Sequence, residues 1–209
     1  MRLYLLPEDP PYGQFLEIAG KDYHYLARVR RLKVGQRLTG TDGRGGRWLC
    51  TVVHIGPSSL RLRLQEEPAA GSALQVALRL IQGLPKGRKM DLIVRQAVEA
   101  GVQFLSPVFT RYSQPGAESG REGDAARLER WRRIARQALQ QSGAAVRPII
   151  DAPRPLLSVL EGLGEAGDEE VRLVFHQEPT GGHTLHGCLS KSVKIVTLVV
   201  GPEGGLAEE

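Results

Sequence analysis

Asparagine is absent from the 209 residues, and Cys, Met and Trp occur only twice each. Two thiols, Cys50 and Cys188, cannot build a disulfide framework, so a cytoplasmic chain with free cysteines is expected. No apolar run nears the roughly 20 residues that a membrane-crossing helix needs. The opening Met1-Arg2-Leu3-Tyr4-Leu5-Leu6-Pro7 is too short and too soon interrupted to act as a secretory signal. Aromatic residues make up only 5%, yet hydrophobic residues reach 41% and charged ones 24%. That balance belongs to a folded globular protein and excludes both disorder and a fibrous repeat.

What is present in excess is positive charge, and its position matters more than its total of +5. Residues 1–68 hold 11 Lys+Arg against 7 Asp+Glu (+4), residues 69–150 hold 13 against 6 (+7), and residues 151–209 hold 4 against 10 (−6). Basic charge gathered in the first two thirds is the footprint of a polyanion binder, with RNA or DNA the leading partner class. A basic solvated surface would leave the same footprint.

Two rhythms follow one another along the chain. Short apolar runs at 3–6, 15–18, 37–41, 48–55 and 60–64 are separated by Pro, Gly and Asp-Gly punctuation. Asp42-Gly43 with Gly45-Gly46 predicts a hairpin, and Leu60-Arg61-Leu62-Arg63-Leu64 alternates as a half-buried strand does. Residues 21–31 read as a short helix capped by Asp22. These elements suggest a small β-barrel over residues 1–68. A stretch without periodicity, Glu66 to Ser72, marks the boundary.

From residue 72 the pattern is α/β. Strands are expected at 74–81, 102–109, 146–150, 171–175 and 193–200, the last apolar enough to be buried on both faces of a parallel sheet. Met90, Ile93, Val94, Ala97 and Val98 line one helical face ending at Gly101. A second helix, with Asp124 as cap, buries Leu128, Trp131, Ile134, Ala135 and Ala138 and stops at Gly143.

Three loops fall where such sheets carry their sites, at the carboxyl ends of strands. Val200-Gly201-Pro202-Glu203-Gly204-Gly205 is glycine-rich, but matches neither the dinucleotide fingerprint nor a P-loop. Leu84-Pro85-Lys86-Gly87-Arg88-Lys89 brings three cations. Ser106-Pro107-Val108-Phe109-Thr110-Arg111 ends a strand on an arginine that cannot serve as a base and suits an anion or a developing oxyanion. His176, His183, His186 and Cys188 match no paired-ligand zinc spacing, so no metal is expected. Arg28, Arg30, Arg31 and Lys33 form one basic cluster; Arg130, Arg132, Arg133 and Arg136 form another on a helix.

Taken together these segments resemble one family. Lys86-Gly87-Arg88-Lys89-Met90-Asp91 with Glu99-Ala100-Gly101-Val102 is similar to its K-G-x-(K/R)-M-D … E-x-G-V stretch. Pro107, Thr110, Arg111, Tyr112 and Ser113 resemble its strand-end arginine-serine motif, with Tyr112 where a second Arg is common. Glu129-Arg130-Trp131, Ile134, Ala135, Ala138 and Gln141-Ser142 resemble its E-R-W … Q-S helix, although here its following Arg is delayed to Arg147. Gly201-Pro202-Glu203-Gly204-Gly205 resembles its G-P-E-G-G signature. His24-(x)4-Val29-Arg30 resembles its H-x-x-x-V-(L)-R segment with one extra residue. The family is RsmE, uridine-N3 methyltransferases of 16S ribosomal RNA in the SPOUT superfamily.

The resemblance implies a PUA-like RNA-binding barrel at 1–68 and a SPOUT domain at 72–209 with a deep trefoil knot. It implies S-adenosylmethionine as methyl donor, a homodimer, and the small ribosomal subunit as partner, with no membrane or metal. The implied catalytic residues are Arg111, Lys86 and Arg88. His176, Glu178, Val200, Gly201, Pro202, Glu203, Gly204 and Gly205 would hold the cofactor, and Arg2, Arg28, Arg30, Arg31 and Lys33 the RNA. The family's final L-G-x-x-I-L-R-x-E-T-A stretch has no counterpart before Glu209, so a further C-terminal segment is expected, and the chain without it should bind the donor poorly. A non-catalytic RNA-binding assembly factor on the same scaffold, and a nucleotide-binding α/β enzyme using 201–205, are the competing readings.

Overall fold

The computed structural model describes residues 3–6, 15–43, 46–67, 76–113, 121–144, 146–175, 185–189 and 192–206. The chain divides into two compact units, one of Met1–Ala73 with Leu139–Val146, the other of Leu74–Ala138 with Arg147–Glu209.

The first unit contains β1 (Tyr4–Leu5), β2 (Phe15–Ala19), α1 (Gly20–Tyr23) running on as a π-helical segment (His24–Val29), β3 (Arg37–Thr41), β4 (Arg47–Ile55) and β5 (Ser59–Glu67). They build a five-stranded sheet in the order β1-β3-β4-β5-β2. Only β1 and β3 run parallel; the other pairs are antiparallel. The alternation read from the sequence sets the faces: Leu60, Leu62 and Leu64 point into a core with Trp48, Cys50, Val52, Leu38 and Leu26, while Arg61 and Arg63 face out. The expected hairpin joins β3 to β4, and Asp42 fixes its far side by accepting the Gly46 N–H at 3.0 Å.

Two expectations about helix starts are corrected. Asp22 does not cap α1; Ala19 occupies that position with no side-chain bond, and Asp22 instead accepts a hydrogen bond from the Tyr4 hydroxyl at 3.3 Å. The one extra residue between His24 and Val29 coincides with the π-helical turn, the form a helix takes when it absorbs an insertion.

The second unit contains β6 (Ala77–Gly83), α2 (Lys89–Glu99), β7 (Phe104–Phe109), α3 (Arg121–Ser142, whose last residues fall in the first unit), β8 (Ile149–Ile150), β9 (Arg154–Pro155), α4 (Leu156–Leu163), β10 (Glu170–Phe175), α5 (Leu185–Cys188) and β11 (Ile195–Val200). Its sheet runs β10-β11-β6-β7-β8, with β9 also paired to β7, and every pair is parallel. β11 lies inside the sheet with Thr197 wholly buried, as its apolar run predicts. The inward face of α3 carries Trp131, Ala135, Ala138 and Leu139. The helix starts at Arg121, so Asp124 is not its cap but sits 3.6 Å from Arg127. Helix α4 was not anticipated, although Leu156, Val159, Leu160 and Leu163 have helical spacing; they pack on Ile81, Val108 and Val199. No helix among the described residues is long and apolar enough to cross a membrane.

Candidate active site at the strand ends

Because β11, β6 and β7 are parallel neighbours in near-matched register, their carboxyl ends emerge together. The segments that leave them are 84–88, 110–113 and 201–206, the loops singled out from the sequence.

They meet with almost no room between them. A Cβ added to Gly83 would lie 2.5 Å from Pro202 Cδ and 2.7 Å from its backbone nitrogen. One added to Gly201 would lie 2.7 Å from the Gly205 carbonyl carbon, and one on Gly204 2.9 Å from Tyr112 Cβ. Glycine therefore lets backbone approach backbone at Gly83 and Gly201, and the Tyr112 side chain approach the chain at Gly204, the use that such residues have beside ligand sites. Gly205 has φ +76°, and its N–H donates to the Pro202 carbonyl at 2.9 Å, closing the turn.

Gln82 is the polar residue that ties these loops. Its side chain is buried, and Nε2 donates to the Gly83 carbonyl at 2.9 Å and towards that of Gly201 at 3.3 Å. An amide directly after Leu80-Ile81, near the end of a strand, is the signal in the sequence, since buried polar groups are nearly always bonded.

Glu203 bridges two loops. Its carboxylate accepts the Lys86 backbone N–H at 3.1 and 3.2 Å and the Lys89 ammonium at 2.5 Å. The Lys89 contact first, then the backbone N–H groups of Glu203 and Lys86, holds its carboxyl down at about 2. Lys89, which the sequence places in a basic run and in the K-G-x-(K/R)-M-D resemblance, is in the structure the partner of the loop's acid. Asp91, one turn into α2, forms an ion pair with Arg130 of α3.

Lys86, Arg88 and Arg111 are exposed around these loops. Arg111 precedes Tyr112 in a turn that Ser113 closes: its Oγ accepts the Thr110 N–H at 2.9 Å, and its N–H donates to the Thr110 carbonyl at 2.9 Å. Lys86 joins the group through its backbone N–H on Glu203, Arg88 lies exposed between Lys86 and Lys89, and Arg111 adjoins Tyr112, the residue nearest Gly204. Val200 ends β11, and Gly201, Pro202, Gly204 and Gly205 follow it in the loop. His176 and Glu178 lie outside the described residues, as do Arg2 and His183.

Arg28, Arg30, Arg31 and Lys33 are all exposed on the π-helical segment and the loop after it, in the first unit. Arg31 has φ 52°, the one described non-glycine residue with left-handed backbone. Among the described residues no cluster of His, Cys, Asp and Glu could hold a metal. Gly162-Leu163-Gly164-Glu165-Ala166-Gly167 has the dinucleotide glycine spacing, but it ends α4 and leads into β10, the reverse of the strand-to-helix order that such loops need.

Comparison with known proteins agrees with this geometry. A family model for an RNA methyltransferase domain matches residues 72–209, and one for an RNA methyltransferase PUA domain matches residues 18–65. Ribosomal RNA small subunit methyltransferase E of Mycobacterium bovis is 29% identical over 99% of this chain and 78% of its own length. The protein of the same name from Rickettsia conorii is 27% identical over 93% of this chain and 75% of its own. A crystal structure of ribosomal RNA small subunit methyltransferase E from Neisseria gonorrhoeae, bound to S-adenosyl methionine, has the same fold, with TM-score 0.80 and 24% identity over 100% of this chain and 82% of that one. The chain belongs to the RNA methyltransferase family to which the ribosomal RNA small subunit methyltransferases E belong.

Proposed function

We propose that this protein transfers a methyl group from S-adenosylmethionine to N3 of a uridine in 16S ribosomal RNA. The observation that carries this reading is the meeting of three parallel strand ends at Gly83, Gly201 and Gly204, with exposed Lys86, Arg88, Lys89 and Arg111 in the segments that follow β6 and β7. Residues 1–68 serve as the PUA-like RNA-binding part and 72–209 as a SPOUT catalytic part carrying a trefoil knot. The protein acts as a cytoplasmic homodimer on the small ribosomal subunit.

The residues present fit the donor. The stretch 200–205, buried at Pro202 and half-buried or exposed elsewhere, excludes side chains at Gly201 and Gly204 and suits a ligand with a ribose diol and an amino-acid head, both read by backbone groups; His176 and Glu178 are assigned to the same site. When bound, S-adenosylmethionine supplies an electrophilic methyl group. Uridine N3 is a weakly acidic imide and must lose its proton before it is nucleophilic. Arg111, with Lys86 and Arg88, favours that anion and stabilises charge on its carbonyl oxygens. Glu203, neutralised by Lys89, keeps the two loops in register, and the rest is positioning. Arg28, Arg30, Arg31, Lys33 and Arg2 hold the RNA, whose target base must be unstacked to reach the site.

Incubating the full-length protein with labelled donor and small subunits lacking the modification tests the reading. Nucleoside mass spectrometry should find N3-methyluridine, and Arg111→Ala should lower the rate about 100-fold. A methylated base or ribose of another kind would assign another product, and no transfer at all would leave an RNA-binding factor.

A further inference from the structure

The outer face of the first unit's sheet carries a pattern that the site above does not use. Phe15 of β2 lies opposite Arg63 of β5, Arg63 opposite Thr51 of β4, and Thr51 opposite Arg37 of β3. One row of side chains thus crosses four strands, about 14 Å from end to end at the usual strand spacing. Beside it a second row runs Glu17, Arg61, His54. The opposite face of the same strands is the core, with Ile18, Leu62 and Val52, so these rows project outward by strand alternation.

Phe15 is 51% exposed on this face. The Arg63 guanidinium stands over its ring, 5.6 Å from the centroid. Arg37, Arg61, Arg63 and His54 are all exposed. Among the described residues none of the three arginines has a carboxylate partner, whereas Arg79, Arg130, Arg132 and Arg172 do. Glu17, the acid on this face, accepts the Ser59 hydroxyl at 2.8 Å. A solvated face has no need of an exposed ring beside unpaired guanidinium groups in register with it. An aromatic ring with cations at strand intervals is what an unpaired nucleic acid requires, one base stacking while phosphates meet the arginines.

We propose that this face, built by Phe15, Arg63, Thr51 and Arg37 with Arg61 beside them, binds a short unpaired stretch of the substrate RNA, separately from the Arg28–Lys33 cluster. The proposal rests on the reading of the chain as a ribosomal-RNA methyltransferase. The rows make one surface that reads a strand through stacking and charge and is indifferent to most of its sequence.

Fluorescence anisotropy of the full-length protein with a short labelled unpaired oligoribonucleotide, and with a blunt duplex of the same sequence, tests it. Phe15→Ala should weaken binding of the unpaired strand about tenfold. The Arg37→Ala/Arg63→Ala double variant should weaken it at least as much and reduce the slope of log affinity against log salt by about 1.4. Arg63→Lys alone should keep the wild-type slope, because the charge is retained, and Lys194→Ala, on the other unit, should change nothing. Unaltered binding by the face variants, equal loss in Lys194→Ala, preference for the duplex, or equal displacement by polyglutamate would each overturn the proposal. Calorimetric titration of S-adenosylmethionine into the same proteins separates the two readings. Loss of donor binding in the wild type strikes the enzyme, while loss of RNA selectivity in the face variants concerns this surface alone.

Discussion

The two units of the chain are built on opposite uses of the side chain. In the first, a fully buried Trp48 packs with Leu26, Leu60, Leu62 and Val52, and the antiparallel strands around it are defined by what alternates along them. In the second, the place that matters is defined by side chains that are missing, at Gly83, Gly201 and Gly204, where three strand ends leave no room for a Cβ. The first arrangement resists loss of volume and the second resists its gain. A fold can thus be robust in one unit while its chemistry hangs on a few hydrogens in the other.

The largest effect expected from testing that contrast is in the first unit. Trp48→Ala removes its biggest buried side chain and should destabilise the protein by about 3–5 kcal/mol, read by chemical denaturation. The reverse change, Gly83→Ala, adds one methyl against Pro202 and should weaken donor binding or turnover by about 100-fold. Its melting temperature should fall far less than that of Trp48→Ala; equal falls in both would erase the distinction between the units.

Gln82→Leu sharpens the comparison, because it keeps volume while stripping the Gly83 and Gly201 carbonyls of their donor. A loss of about 1–3 kcal/mol is expected, with donor affinity falling in step. Glu203→Gln should act least, and chiefly through pH. The folded carboxyl sits near 2 against an ordinary 4.5, so its contribution is fully present above 4.5 and fades as pH falls through 2. Melting curves of wild type and variant should therefore converge between those values and run parallel above them.

This division also explains what could be read from the chain. The strands of the first unit follow from strict alternation, as at Leu60 to Leu64, and the hairpin from Asp42-Gly43, because both signals are local. The buried β11 and the helices α2 and α3 were legible for the same reason. Strand order in the parallel sheet was not, since nothing in 195–200 states that it inserts between β10 and β6. Two wrong caps, Asp22 and Asp124, came from treating an acid near a helix start as its cap, when one bonds Tyr4 and the other lies within the first turn. The candidate site was legible as three loops at strand ends. The Lys89–Glu203 pair and the Gln82 tie were not, because they join residues 114 and 119 apart in sequence.

Calorimetric titration of S-adenosylmethionine into the full-length wild type and its Gly201→Val variant tests the central claim most directly. If the glycine-knit strand ends hold the methyl donor, the wild type binds and the variant does not, while both keep their cooperative melt. Binding by the variant with wild-type affinity, or none by a folded wild type, would contradict it.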